Sequence, residues 1–471
     1  MMQQDTNGQP GRRAIALLVA ATFFMENLDG TIITTAVPAM SRAFGVATDQ
    51  LSIGMSAYLL TLGVFIPASG WLAERAGARR VFVGAIALFT VASMLCGIVS
   101  RLDLFVAARV LQGIGGAMMV PVGRLIVLRT TPKEGLIAAI ATLTWPALVA
   151  PILGPPVGGF IVAHASWRWI FYLNLPLGLL ALAAASRLIP HTAPRPGKAF
   201  DWLGFLLAGG GIACAVIALD TLNQRDVAWP LKAAWAVAGA ALLALAARHL
   251  SRADRPLLNL RCLGVPTFAV SIWGGSLFRV AIGAVPFVLP LMLQSAFGYD
   301  PFHAGLMMMA VFAGNLSIKP ATTAILRTWG FRRVLIANGI ANALALGACG
   351  LLTAQTPVPL VLLILFAGGV CRSIQFTAIN TIAFADVPED QMTDANTLFS
   401  TVMQVTLGLG IAIGASTLRI GQVFAGDTAA AFQWAFVLLG IIALAGILDS
   451  LGLDKQAGGH LIKDPSPRAP K

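Results

Sequence analysis

Glu26 and Asp29 stand inside a run that is otherwise uncharged from Ala14 to Val37. A carboxylate at the centre of a bilayer costs roughly 2.5–3.5 kcal/mol on insertion scales, so an acid placed there marks function. Their i, i+3 spacing sets both on one face of a helix. At about 1.5 Å of rise per residue from Ala14, Asp29 lies roughly 22 Å along that helix, just past the bilayer midplane. A carboxyl withdrawn from water can take up a proton from one side and release it to the other. The competing reading is a structural acid tied permanently to a buried arginine. Arg109 is the natural partner, followed by Gln112 and the small-residue surface Gly113, Gly115, Gly116 and Ala117. Guanidinium stays charged when buried, so it can hold a carboxylate and be freed when that carboxylate protonates. Its alternative task is to satisfy backbone carbonyls.

The second half of the chain carries cations at comparable depth: Arg279, Lys319 and Arg372, with Gln375 and Asn380 on the helix of Arg372. A lone cation in hydrocarbon is costly, so each must face a cavity or a carboxylate. Pairing with Glu26 or Asp29 is one outcome. Three cations and Arg109 nevertheless outnumber two acids, which leaves positive charge for an anionic solute. Gln112, Arg279, Lys319, Arg372, Gln375 and Asn380 are therefore the substrate-binding candidates.

The elements that must position these residues are membrane spans. The chain of 471 residues is 57% hydrophobic and 11% charged, where a soluble domain carries about a quarter charged residues. Fourteen apolar runs reach the length of about 20 residues that a spanning helix needs. They centre near Thr22, Leu62, Thr90, Gly116, Val149, Gly178, Ile212, Gly239, Gly283, Val311, Ala343, Gly368, Gly408 and Ile441. The net charge of +12 does not point to nucleic acid, because the basic residues gather in alternate short gaps between the runs. Only Arg42, Arg101, Arg168 and Arg225 fall in the sparse set. By the positive-inside rule both termini are expected in the cytoplasm.

The chain also repeats itself. "PASGWLAERAGARRV" from Pro67 aligns without a gap on "PATTAILRTWGFRRV" from Pro320, and the same offset sets Gly30 on Gly283 and Glu26 on Arg279. Chance similarity between basic turns is the bland alternative. Two homologous six-helix halves are the expectation, of the kind that rocks about a central site. The expected domains are an N-terminal bundle over 1–190, two inserted helices over 191–263, a C-terminal bundle over 264–454 and a cytoplasmic tail over 455–471.

Several stretches resemble the major facilitator superfamily. "GWLAERAGARR" (Gly70 to Arg80) is similar to the signature loop between its second and third helices, "RVLQGIGGA" (Arg109 to Ala117) to its helix-four motif, and "PILGPPVGG" (Pro151 to Gly159) to the helix-five motif of its antiporters. "LDGTIITTAVP" and "WRWIFYLNLPLG" resemble the fourteen-span drug:proton antiporter branch, the EmrB/QacA type. "FVLPLMLQSAFGY" and "QFTAINTIAFAD" are most similar to its MdtD-like group. The resemblance implies an all-α polytopic fold of two six-helix bundles plus two inserted helices. It implies proton coupling through Asp29 and Arg109, and gating through Gly70, Glu74, Arg75, Gly77 and Arg79. Glu26 lies before the motif, which begins at Leu28, and is a coupling candidate by its place beside Asp29 alone. Glu74 and Ala78 depart from the usual residues, so the strength of the gate's latch is open. Gly154, Pro155, Gly158 and Gly159 would form a hinge in helix five, where Gly154 and Gly158 also read as ordinary GxxxG packing.

The function so implied is export of small organic compounds in exchange for protons, as in multidrug efflux. Export of an organic anion such as citrate is the alternative that the cation excess favours. Small-molecule substrate, protons and membrane lipid are the expected partners. A periplasmic efflux partner cannot be read from the residues. No cofactor or metal is expected: the five histidines form no HExxH, the five cysteines no CxxC, and there is no GxxxxGK[ST] phosphate loop. Nothing in the sequence marks an enzyme.

Overall fold

The computed structural model describes residues 8–131, 136–190, 199–222, 227–425, 427–454 and 456–459. The expected outer loop at Gln224, Lys455 and the tail from His460 lie outside them. Among the described residues the regular structure is helical: α1 (Gly8–Ile32), α2 (Ser52–Ala76), α3 (Ala78–Ile98), α4 (Leu102–Thr130), α5 (Leu136–His164), α6 (Asn174–Leu188), α7 (Trp202–Leu222) and α8 (Trp229–Arg252). There follow α9 (Pro266–Ser295), α10 (Pro301–Ser317), α11 (Lys319–Trp329), α12 (Phe331–Gly350), α13 (Val358–Ile382), α14 (Met392–Phe424) and α15 (Thr428–Ala445). Twelve spans are long and apolar enough to cross a membrane, and α10 with α11 adds a thirteenth, bent by 51°. In α5 the described apolar stretch runs over Val149–His164. Each expected centre falls within a helix.

Two local features differ from the sequence reading. The tenth run is not one straight span: it breaks at Ile318, and Lys319 begins α11 with Pro320 beside it. Proline suits the first turn of a helix, where its missing N–H has no partner to lose. The signature loop shrinks to one residue, because α2 continues to Ala76 and α3 starts at Ala78. Gly77 between them has φ 90°, and Gly330 between α11 and α12 has φ 75°. Side chains with a Cβ rarely adopt that region, so both turns require glycine. Just beyond each turn an arginine reaches a distant backbone carbonyl. Arg79 donates to Ser186 O near the end of α6, and Arg332 Nη2 donates to Leu451 O at 2.8 Å. The two junctions are thus built alike, as the internal repeat predicts.

Contacts divide the chain into two units. The first comprises Met1–His249, Asp254–Leu257 and Leu289–Met309. Within it α4 packs on α2 and α3, α1 on α5, and α6 on α3 and α1. Val19, Phe23, Tyr58, Phe82, Phe89 and Met119 form its core. Asp201, just before α7, accepts the N–H of Gly204 at 2.8 Å, the N–H of Leu257 at 3.0 Å and His249 Nε2 at 2.8 Å. Burial opposes its ionisation, yet these donors hold the carboxyl below its ordinary range. One side chain thereby ties together α7, α8 and the segment that leaves them. In the second unit α12 packs on α13 and α15, and α15 on α14. Phe278, Phe331, Leu335 and Ile379 lie in its core.

Candidate functional site

The first unit buries a polar network among α1, α3, α4 and α6. Arg109 Nη1 donates to Asp29 Oδ2 and to Gln112 Oε1, both at 2.6 Å. Gln112 Nε2 and Asn174 Nδ2 donate to Asp29 Oδ1 at 2.9 and 2.8 Å. Asn174 also donates to Ser93 Oγ at 3.0 Å, and Ser93 donates to Phe171 O at 3.0 Å. The guanidinium lies over the Tyr58 ring, 4.2 Å from its centroid. Asp29 and Arg109 are each 1% exposed and Gln112 is 0% exposed, so the pair is dry. Breaking such a pair by removing one partner costs about 3–5 kcal/mol, because a buried charge is left over.

Local sequence explains the meeting. Gly113 approaches the Tyr58 carbonyl and Thr61, and Gly115 approaches the backbone of Phe89, so closely that an added Cβ would lie 2.8 Å from each neighbour. Small residues let α4 close on α2 and α3, which carries Arg109 to the acids of α1. Glu26 has a different environment. It is buried, but Oε2 has no hydrogen-bond partner, and neither has the Tyr58 hydroxyl. Both face Gly116, where a Cβ would stand 3.5 Å from Glu26 Cδ and 3.4 Å from Tyr58 Oη. Two acids three residues apart are thus set one with three donors and one with an orphan oxygen.

The structure brings Asp29, Arg109 and Gln112 together, so Gln112 belongs with the acid rather than with the cations of the second half. Asn174, Ser93 and Tyr58 were absent from the sequence-based site. Asn174 lies inside "WRWIFYLNLPLG", and its signal is a single amide in an apolar run.

In the second unit Arg279, Lys319 and Arg372 pair with no acid among the described residues. The acid pair of the first unit, Arg109–Asp29, has no counterpart at any of the three. Arg279 is 0% exposed. Gly275, one turn earlier, leaves room for its guanidinium, which donates from Nη1 to Ser271 O at 3.0 Å and lies 4.7 Å over the Phe399 ring. Its Nε and Nη2 have no partner. Lys319 is half-buried and donates to Thr377 Oγ1 at 3.1 Å. Arg372 lines a small cavity of about 30 Å³ beside Asn342, whose Nδ2 is also unpartnered. Gln375 instead bridges helices, donating to Leu335 O at 3.1 Å and accepting from Asn338 at 3.0 Å. Asn380 Oδ1 is buried and without a partner.

Of the gate residues, Glu74 and Arg75 are exposed, and Arg75 lies over the Trp71 ring at 5.4 Å. Gly70 faces open space. Gly154, Gly158 and Gly159 do not. Cβ atoms there would stand 2.2 Å from Thr31 Oγ1, Ile32 O and Pro301 O respectively. Thr35 Oγ1 donates to Pro155 O at 3.4 Å across the same seam.

An all-helical membrane chain that keeps an arginine–aspartate pair dry within its helices has the build of a secondary transporter. The Major Facilitator Superfamily model matches residues 19–410 and 271–457, and the chain belongs to that family. It is a multi-pass membrane transporter of small molecules, not an enzyme. Similar chains are named "Putative multidrug resistance protein MdtD". That of Cronobacter sakazakii is 39% identical over 431 residues, covering 90% of this chain and 91% of the relative. That of Salmonella paratyphi A is 37% identical over 441 residues, covering 92% and 93%. Among solved structures, a POT family peptide transporter aligns with TM-score 0.68 at 12% identity, over 98% of this chain and 99% of its own. A D-xylose-proton symporter aligns with TM-score 0.67 at 15% identity, over 94% and 98%. These two likenesses establish the fold alone.

Proposed function

We propose that the chain exports small organic compounds across a bacterial inner membrane in exchange for protons, by alternating access. The observation that carries this reading is the dry Asp29–Arg109 pair with Gln112 and Asn174 closing around the carboxylate. When Asp29 takes a proton, Arg109 loses its counter-charge and keeps only Gln112 and the Tyr58 face. Helices α1 and α4 are then free to shift, and export is coupled to the proton's exit. Glu26, beside the unpartnered Tyr58 hydroxyl, is placed to pass the proton on. Gly70, Glu74, Arg75, Gly77 and Arg79 act as the gate, and Gly154 to Gly159 as the hinge. The MdtD relatives' printed names support a drug-like cargo. The test is flux into proteoliposomes under an imposed pH gradient, comparing a lipophilic cation with a tricarboxylate.

The same reading takes the chain as fourteen spans in bundles over 1–190 and 264–454, with the inserted pair over 191–263 and the tail over 455–471. The thirteen spans found by length and apolarity, with α5 as one more helix, support that count. Reporter fusions at Gln224 and Lys455 are expected to read periplasmic and cytoplasmic respectively. A cytoplasmic signal at Gln224 would remove the inserted pair.

Export of an organic anion such as citrate is the second reading. It rests on Arg279, which presents two unpartnered guanidinium nitrogens and pairs with no acid among the described residues. If Arg279 and Lys319 meet a carboxylate, Arg279→Gln and Lys319→Ala should each slow anion transport about 10-fold, the equivalent of one charge-assisted hydrogen bond. Transport of a neutral or cationic drug should change less. Equal loss for all cargoes, with lowered thermal stability, would assign these cations to packing.

A further inference from the structure

A groove of about 480 Å³ opens on the first unit between α2, α3, α4 and the residues leading into α7. Its volume lies in the range of pockets that bury a small organic ligand, roughly 300–1,000 Å³. Five rings wall it. Trp71 meets Phe200 at 4.9 Å, Phe65 meets Phe205 at 5.1 Å, and Trp202 meets Phe200 at 4.9 Å between centroids. Gly84 lies on the lining, and a Cβ built there would find no atom within 4 Å. Among the described residues no neighbouring side chain fills that space. Because Asp201 clasps Gly204, His249 and Leu257, the segment that carries Phe200, Trp202 and Phe205 is held in place.

The mouth of the groove is cationic. Arg80 is the charged residue of the lining, and Arg75 stacks on Trp71. Arg79 turns to the Ser186 carbonyl, and Glu74 is the acid on the same stretch, so basic residues prevail. The walls are helices that cross the bilayer, so the guest arrives from the membrane. An apolar trough with an arginine on its lining is complementary to an acyl chain that ends in a phosphate. A headgroup that adds its own ammonium would set a cation against Arg80. An anionic headgroup does not, and anionic lipids are the ones that juxtamembrane arginines attract.

We infer that this groove binds one anionic phospholipid per chain, its acyl chain between the rings and its phosphate at Arg80. The test uses the full-length protein, stripped of lipid in detergent. It is titrated with phosphatidylglycerol, phosphatidylethanolamine or phosphatidylcholine of one chain length and read by native mass spectrometry and thermal unfolding. One phosphatidylglycerol should be retained, about 10-fold more tightly than either zwitterionic lipid, a difference of about 1.4 kcal/mol. Gly84→Leu should fill the trough and lower that retention about 10-fold with unchanged helicity and elution volume, while Gly84→Ala binds nearly as the parent does. Arg80→Gln should keep a lipid but lose the preference for the anionic headgroup. Equal retention of all three lipids by the parent overturns the assignment. So does an Arg80→Gln protein that still prefers phosphatidylglycerol, or a folded Gly84→Leu protein that binds it undiminished.

Discussion

Asp29→Asn is expected to yield a folded, inserted protein that still exchanges substrate for substrate but no longer accumulates it against a pH gradient. Asparagine nearly matches aspartate in size, and its Oδ1 can accept from Gln112 and Asn174 as the carboxylate oxygen does, which leaves its amide nitrogen facing Arg109 Nη1. What disappears is the charge that holds Arg109 at 2.6 Å. A buried ion pair that loses one partner costs about 3–5 kcal/mol of stability, so the variant should melt lower. With no carboxyl at position 29 to take up and release a proton, gradient-driven accumulation should fall to the level of protein-free vesicles. Arg109→Ala should be as poorly coupled and less stable, since it strands a carboxylate that only two amides then reach. Arg109→Lys tests geometry apart from charge, because an ammonium keeps the charge but loses the planar guanidinium that lies over the Tyr58 ring. The measurement is paired: counterflow without a gradient, and accumulation with one, in the same vesicles. Normal gradient-driven accumulation by Asp29→Asn would remove this acid from coupling and pass the role to Glu26.

The helices are legible in the sequence because hydrocarbon imposes a length and forbids charge, and both are countable along a chain. The break at Ile318 is not legible in the same way, since hydropathy registers composition and carries no direction. Pro320 is a signal, but Pro67 and Pro121 sit inside helices that continue through them. For the site, sequence reaches as far as one helix. Arg109 and Gln112 share a face by spacing, yet the contact of Gln112 with Asp29 spans 83 residues and is a product of packing. Its grouping with Arg279, Lys319 and Arg372 came from polarity alone. Asn174 was hidden for the same reason, as one amide in an apolar run has no meaning until α6 meets α1 and α3. Glu26 and Asp29 looked alike because spacing says nothing about donors. Three hydrogen bonds on one and an orphan oxygen on the other separate them.

The second large effect is expected from a single methyl group. Gly158→Ala should lower the thermal stability of the purified protein by several degrees and abolish transport, whereas Gly70→Ala, in a motif of equal standing, should leave melting unchanged. Both glycines are helical, and alanine is the better helix former by up to about 1 kcal/mol, so propensity alone would favour either substitution. Space decides against one of them. The added Cβ at Gly158 would stand 2.2 Å from the Ile32 carbonyl oxygen and 2.8 Å from Thr35 Oγ1, while at Gly70 nothing lies within 4 Å. The obstacle at Gly158 is backbone, which no rotamer change can relieve, and overpacking of this kind costs about 1–3 kcal/mol or more. Ile32 ends α1, and Ile33–Thr35 continue as a 3₁₀ turn. Displacing that end moves Asp29, one turn back, relative to an arginine it now meets at 2.6 Å. Loss of coupling should therefore accompany loss of stability at Gly158. A Gly158→Ala protein with parental melting and parental flux would show that α1 and α5 do not touch through this seam.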